Sequence, residues 1–177
     1  SEMCIRDRSV CMMVGGITAF ATEAADELDV FGEIADVEFC FSSGAGAWGT
    51  SLRINADGTF TGDYHDTDMG DTGESYPFGT MYSYEFSGKF KNLQKVDDFT
   101  YSFELDYLRE DAPKKEFIDD HGVRIVPAEA YGLEIGKTYM LYLPGAEMNT
   151  LPEKFVHWVA MPMGWSSDEI PLSLPFY

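Results

Sequence analysis

The sequence predicts an all-β domain, an antiparallel and mostly up-and-down β-barrel of about eight strands with one short C-terminal helix. Three observations predict it: apolar and polar residues alternate in several stretches, turn-forming residues separate those stretches, and strands do not alternate with helices. A two-sheet β-sandwich is the alternative. With 177 residues, 45% of them hydrophobic and 15% aromatic, the chain is long and apolar enough for one core.

The first 35 residues are expected to lie outside this domain. Residues 10–21 form a short apolar run that ends in Ala19-Phe20-Ala21, which is typical of the rear half of a signal peptide and its cleavage site. The other interpretation is a buried N-terminal strand or helix. Residues 22–35 are then an acidic linker, and residues 36–177 are a single β domain whose Pro-Phe-Tyr ending is compatible with a clipped C-terminus.

A strand and a hairpin are predicted first. Val37, Phe39 and Phe41 alternate with polar residues, and residues 43–46 end that strand. Apolar residues then alternate over 52–54 and again over 60–64. Between them, residues 55–58 form a turn in which the glycine can take a positive φ.

A long aromatic pair of strands follows. Tyr82, Tyr84 and Phe86 alternate with polar residues, and so do the aromatic residues of 99–107. A period of two places all these rings on one face of a pleated strand. Residues 92–98 are expected to form a moderately long hairpin loop.

The last elements are a third hairpin, a buried strand and a helix. Residues 117–118 and 123–126 flank a polar turn, and residues 139–143 are apolar at every position, which predicts a strand covered on both faces. Thr150-Leu151-Pro152-Glu153 matches a capping box. A helix of about two to three turns should follow and end at Pro162, with Phe155 and Trp158 on one face.

The charge limits the classes of partner. The chain has 12 Lys and Arg against 31 Asp and Glu, a net charge of −19, so nucleic acid and anionic membrane surfaces are unfavourable partners. We expect a monomer without a membrane span. Without residues 1–21 a single cysteine, Cys40, remains. We interpret it as a structural thiol in a domain without an internal disulfide.

The acidic loop suggests one metal site. No Lys or Arg occurs between Ile54 and Gly88, and Asp66, Asp68 and Asp71 lie two and three residues apart beside Gly70. Several carboxylates in a flexible loop are typical calcium ligands, although the glycine and the final glutamate of an EF-hand loop are not in place. Calcium is the one cofactor that the sequence suggests.

Catalytic motifs are not apparent. His65, His121 and His157 share no metal-binding spacing, and Ser42-Ser43-Gly44 is not a nucleophile elbow. Acidic residues are so abundant that a catalytic carboxylate pair has no distinctive signal. We therefore name no catalytic residue and favour a non-enzymatic protein.

Three resemblances add to these observations. Gly46-Ala47-Trp48 followed by Asp57-Gly58-Thr59-Phe60 resembles the lipocalin-like (calycin) barrels, although Trp48 begins the second strand here rather than the first. Residues 39–90 resemble uncharacterised secreted proteins of Gram-positive gut bacteria, which implies an extracellular or cell-surface location. Residues 1–8 resemble a translated sequencing adapter, which implies no biological role.

Three functions remain open. The first is a secreted, non-enzymatic domain that binds a small or extended neutral ligand at the barrel mouth, of which residues 66–79 form a part. The second is an extracellular glycan-active enzyme or a carbohydrate-binding sandwich, for which a groove with exposed rings and facing carboxylates is expected. The third is a structural surface domain.

Overall fold

The computed structural model describes residues 4–5, 30–42, 46–111, 115–129 and 132–177. These ranges contain nine strands: β1 (Cys4–Ile5), β2 (Glu38–Ser42), β3 (Trp48–Ile54), β4 (Thr59–Asp68), β5 (Thr80–Asp97), β6 (Thr100–Glu110), β7 (Phe117–Ile118), β8 (Arg124–Pro127) and β9 (Thr138–Tyr142). Residues 30–33 are helical. A 3₁₀ turn (Met148–Thr150) precedes the C-terminal helix (Glu153–Met163). No helix within these ranges is long and apolar enough to cross a membrane.

One antiparallel sheet forms the body of the molecule. Strands β2, β3, β4, β5, β6 and β9 are neighbours in that order, and the sheet curls into a half-barrel. The prediction of an antiparallel, mostly up-and-down fold with one short C-terminal helix is therefore confirmed. At the outer edge, β1 pairs with Phe39 and Cys40 of β2. The remaining residues of the predicted leader lie outside the described ranges, and its removal stays a prediction.

The β5 strand has two neighbours on one side. Its second part pairs with β6, while residues Thr80 to Ser83 pair with β8 in parallel. The third predicted hairpin is present as β7 and β8, and its parallel attachment to β5 was not predicted. This attachment places the hairpin beside the turn that follows β4.

The hairpin of β3 and β4 forms as predicted. Gly58 has a φ of 77° and its N–H donates to the carbonyl of Asn55. Asp57 accepts hydrogen bonds from the backbone N–H and the hydroxyl of Thr59, and these bonds lower the pKa of its carboxyl. The turn therefore stabilises its own carboxylate.

The expected loop over residues 92–98 is wrong. Strand β5 continues to Asp97 and β6 begins at Thr100, so only Asp98 and Phe99 connect them. The pairing shifts register between Lys91 and Gln94, close to Asn92, which has a φ of 55°. Such bulges interrupt the alternation of apolar and polar residues without ending a strand. The sequence of residues 92–98 therefore resembled a polar loop, although it continues β5 as far as Asp97.

The larger of the two hydrophobic clusters among the described residues lies on the inner face of the half-barrel. Phe60, Phe86 and Phe90 are each 1% exposed, and Phe90 lies 4.5 Å from Phe103 between ring centroids. The core also contains Val30, Phe31 and Ile34, which come from the helical segment and the residue that follows it. The described end of the segment expected to be a linker is thus part of the core.

A second cluster joins the C-terminal part to the sheet. Phe155 and Val159 of the C-terminal helix are buried beside Leu151 and Leu174. The predicted capping box is wrong, because the Thr150 hydroxyl donates to the carbonyl of Glu147 within the 3₁₀ turn and no side chain caps the helix. The helix contains Pro162 and ends at Met163, and Gly164 caps it in the left-handed conformation.

Strand β9 is covered on one face only. Tyr139 and Leu141 are buried, whereas Met140 between them is 42% exposed. The expectation of a strand covered on both faces is wrong, because Thr138 and Met140 on the second face are exposed.

Candidate functional site

The inner face of the half-barrel becomes more exposed toward one end. Phe39, Leu52 and Phe86 form a buried row across the strands. Gly62 lies in this row between Leu52 and Phe86. Partly exposed side chains dominate the next two rows along the strands. The second row contains Phe41, Thr50, Tyr64 and Tyr84, and the third contains Trp48, Asp66 and Tyr82. We call these two rows the open end.

Aromatic rings dominate the open end. Phe41 lies 5.3 Å from Trp48 and 5.1 Å from Trp158 between ring centroids, and the two tryptophans are 6.4 Å apart. All three side chains are half-buried. The C-terminal helix therefore contributes Trp158 to the same surface as strands β2 and β3.

A carboxylate lies between two of these rings. Asp66 is the register partner of Trp48 on one side and of Tyr82 on the other. Side chains that are register partners on one face of a sheet have Cβ atoms roughly 5 Å apart. Tyr64 precedes Asp66 by two residues and so lies on the same face. Asp66 is half-buried and therefore still reaches solvent.

The charges of further carboxylates act on the deeper ring, Tyr84. This residue is 8% exposed and stacks on Phe86 with ring centroids 5.7 Å apart. Burial raises the pKa of its phenol, and the charges of Glu110, Glu129 and Asp111 raise it further. The open end therefore combines aromatic faces with negative potential.

The loop beside the open end is held by a cation from another part of the chain. Arg124 lies 3.5 Å from Asp71 and 3.0 Å from Glu116, and its guanidinium lies over the ring of Tyr76. The Thr80 hydroxyl also donates to the carbonyl of Asp71. The stretch between Ile54 and Gly88 contains no Lys or Arg, and Arg124 of β8 supplies the cation that pairs with its Asp71.

The three predicted calcium ligands have different surroundings. Asp66 is in the third row, whereas Asp68 accepts hydrogen bonds from the backbone N–H groups of Gly70 and Asp71. The Asp71 carboxylate pairs with Arg124. Within the described ranges, no three His, Cys, Asp or Glu side chains gather in a way that could hold a metal ion. Calcium binding stays a prediction.

The outer face of the sheet carries an open groove of about 720 Å³. Polar side chains of β2 to β5 line it. Asp63 and Glu85 are register partners there, the Ser51 hydroxyl donates to Asp63, and Arg53 pairs with Glu38 at 3.3 Å. These two carboxylates lie side by side on one face, and the aromatic cluster that a carbohydrate-active protein would also need lies at the open end.

The remaining sequence candidates lie apart. His65 lines the outer groove, His121 is in the turn between β7 and β8, and His157 is exposed on the C-terminal helix. Cys40 is half-buried on β2. The three histidines thus form no common site.

No family model matches the chain, and neither curated proteins nor solved structures give a significant match.

Proposed function

We propose that this protein is a secreted, non-enzymatic binding domain that takes a small, ring-containing organic ligand at the open end. The observation that carries the proposal is the group of half-buried rings there, Phe41, Trp48, Tyr64, Tyr82 and Trp158. Rings that are half-covered by the protein still present surface that a ligand can remove from water.

The fold supports this function by fixing the rings in position. Four of the five belong to neighbouring strands whose register sets their spacing, and Trp158 packs on Phe41 and Trp48 from the helix. A binding surface held by secondary structure loses little conformational freedom when a ligand binds. The buried row of Phe39, Leu52 and Phe86 supports the rings from below.

Isothermal titration of 1-naphthalenemethanol, a neutral aromatic alcohol, tests the proposal. We expect measurable binding to the full chain and a loss of affinity of about threefold to tenfold for Tyr82→Ala and for Trp158→Ala, because ring contacts contribute about 0.5–1.5 kcal/mol each. Circular dichroism of each variant checks that it is folded.

Ser51→Ala is the matched control, since this residue faces the outer groove on β3. It should bind the alcohol as the parent protein does. Absence of binding to the parent protein contradicts the proposal. A loss confined to Ser51→Ala also contradicts it and moves the site to the outer groove, where a carbohydrate-binding domain is the alternative.

A further inference from the structure

We propose that the natural ligand at the open end carries an organic ammonium group, and that Asp66 binds this group between the rings of Trp48 and Tyr82. The inference rests on the proposed function and names the ligand's chemical class. It replaces the neutral ligand of the sequence-based prediction with a cationic one, a class that the net charge of −19 also leaves open.

Asp66 lies among aromatic side chains. Its register partners on both sides are aromatic, and Tyr64 lies two residues earlier on the same face. Trp158 packs against Trp48 at 6.4 Å and adds a fourth ring to the group. Asp66 thus has aromatic side chains on three sides of its own sheet face, and Asp68 follows it by two residues on the fourth.

The chemistry of these groups selects a cation. The faces of Trp and Tyr rings attract an ammonium group, with a gain that increases as water is excluded. A carboxylate beside the rings supplies the counter-charge, and the attraction is stronger at a half-buried site than in bulk water. A neutral ligand of the same shape uses the rings but gains nothing from the charge.

The same surroundings argue against an anion and favour an organic cation over a metal ion. A carboxylate or phosphate group of a ligand would be repelled by Asp66 beside it. The charges of Glu110 and Glu129, which also act on Tyr84, would add to this repulsion. A metal ion such as calcium requires several oxygen ligands at once. Asp68 is occupied by backbone N–H groups and Asp71 by Arg124.

Two ligands of nearly equal shape test the inference. 1-Naphthylmethylamine is protonated at neutral pH, and 1-naphthalenemethanol is its neutral counterpart. We expect the ammonium compound to bind the full-length parent protein at least about tenfold more tightly at low salt. This advantage should decrease as ionic strength rises, because salt screens charge pairs that reach solvent.

Asp66→Asn should remove the advantage of the ammonium compound over the alcohol. Asp63→Asn is the control, because it makes the same charge change on the same strand but faces the outer groove. It should retain the advantage. A small decrease in Asp63→Asn measures the contribution of net charge alone.

Three results separate the two proposals. If the amine and the alcohol bind the parent protein equally, the ammonium inference is wrong and the proposed function stands. If the advantage is the same in Asp66→Asn as in Asp63→Asn, Asp66 does not bind the ammonium and the inference is wrong. If neither compound binds, the proposed function itself fails.

Discussion

Gly62 and Gly88 determine how closely the aromatic rings approach the strands. Phe86 is the register partner of Gly62, and Phe60 is the register partner of Gly88, so each ring lies over a glycine of the neighbouring strand. A β-carbon on Gly62 would lie 2.3 Å from the carbonyl oxygen of Ser51 and 2.6 Å from the Phe86 ring. These two glycines allow the rings to pack flat against the sheet.

Gly62→Ala should therefore destabilise the protein by about 1–3 kcal/mol, because the added methyl group has no space and a backbone oxygen cannot move aside. Gly32→Ala is the contrasting variant, since that residue is helical and a β-carbon there meets nothing within 4 Å. It should be neutral or stabilising by up to about 1 kcal/mol. Urea unfolding of both variants checks the pair, and equal midpoints would contradict the role of Gly62.

Individual residues also show what the sequence predicted and what it did not. The alternation of Tyr82, Tyr84 and Phe86 correctly placed rings on one strand, because period two has a direct geometric meaning. Trp158 was assigned to the apolar face of a helix. Its contact with Phe41 and Trp48 depends on how the helix docks on the sheet, and local spacing contains no information on that.

At the scale of elements, Arg124 joins the β7–β8 hairpin to the loop over residues 69–79. It contacts Asp71, Glu116 and Tyr76, and its backbone N–H donates to the carbonyl of Gly79. The loop and the hairpin are 53 residues apart at the Asp71 contact, so the sequence alone suggested only an isolated acidic loop. The parallel pairing of β8 with β5 creates this contact.

Arg124→Met should increase amide hydrogen exchange in residues 69–79 and 116–123. The global stability should change by no more than about 1 kcal/mol, because partly exposed ion pairs contribute little. Arg53→Met is the matched control, since Arg53 pairs with Glu38 on the outer face. It should leave both segments unchanged, and unchanged exchange in Arg124→Met would mean that other contacts hold the loop.

The presence of each hairpin was easier to predict than the position of its turn. The turn at residues 55–58 has a glycine that takes the positive φ, so its position was predicted correctly. The turn between β5 and β6 is preceded by bulges and polar residues, and its position was wrong by several residues. A bulge has no fixed sequence signal, whereas a left-handed turn position favours glycine.

At the scale of the whole molecule, the half-barrel encloses Val30, Phe31 and Ile34 on its inner face. These residues fill one part of the inner face, and the aromatic rows remain partly exposed at the open end. The sequence predicted the antiparallel sheet, while its ligand site at a barrel mouth stays a prediction. It did not predict that residues 30–34 belong to the core, because four helical residues are too few to show a period.

The tryptophans provide the most direct test of the central claim, that ligands bind at the open end. The protein has three, and Trp165 packs on Phe176 in the second cluster rather than on the open end. The measurement is a ¹H–¹⁵N NMR titration of the full chain with 1-naphthalenemethanol, with indole signals assigned by single Trp→Phe variants. We predict that the Nε1–H signals of Trp48 and Trp158 shift together while that of Trp165 stays in place. A shift of Trp165 alone, or no shift of any indole at saturating ligand, would contradict the account.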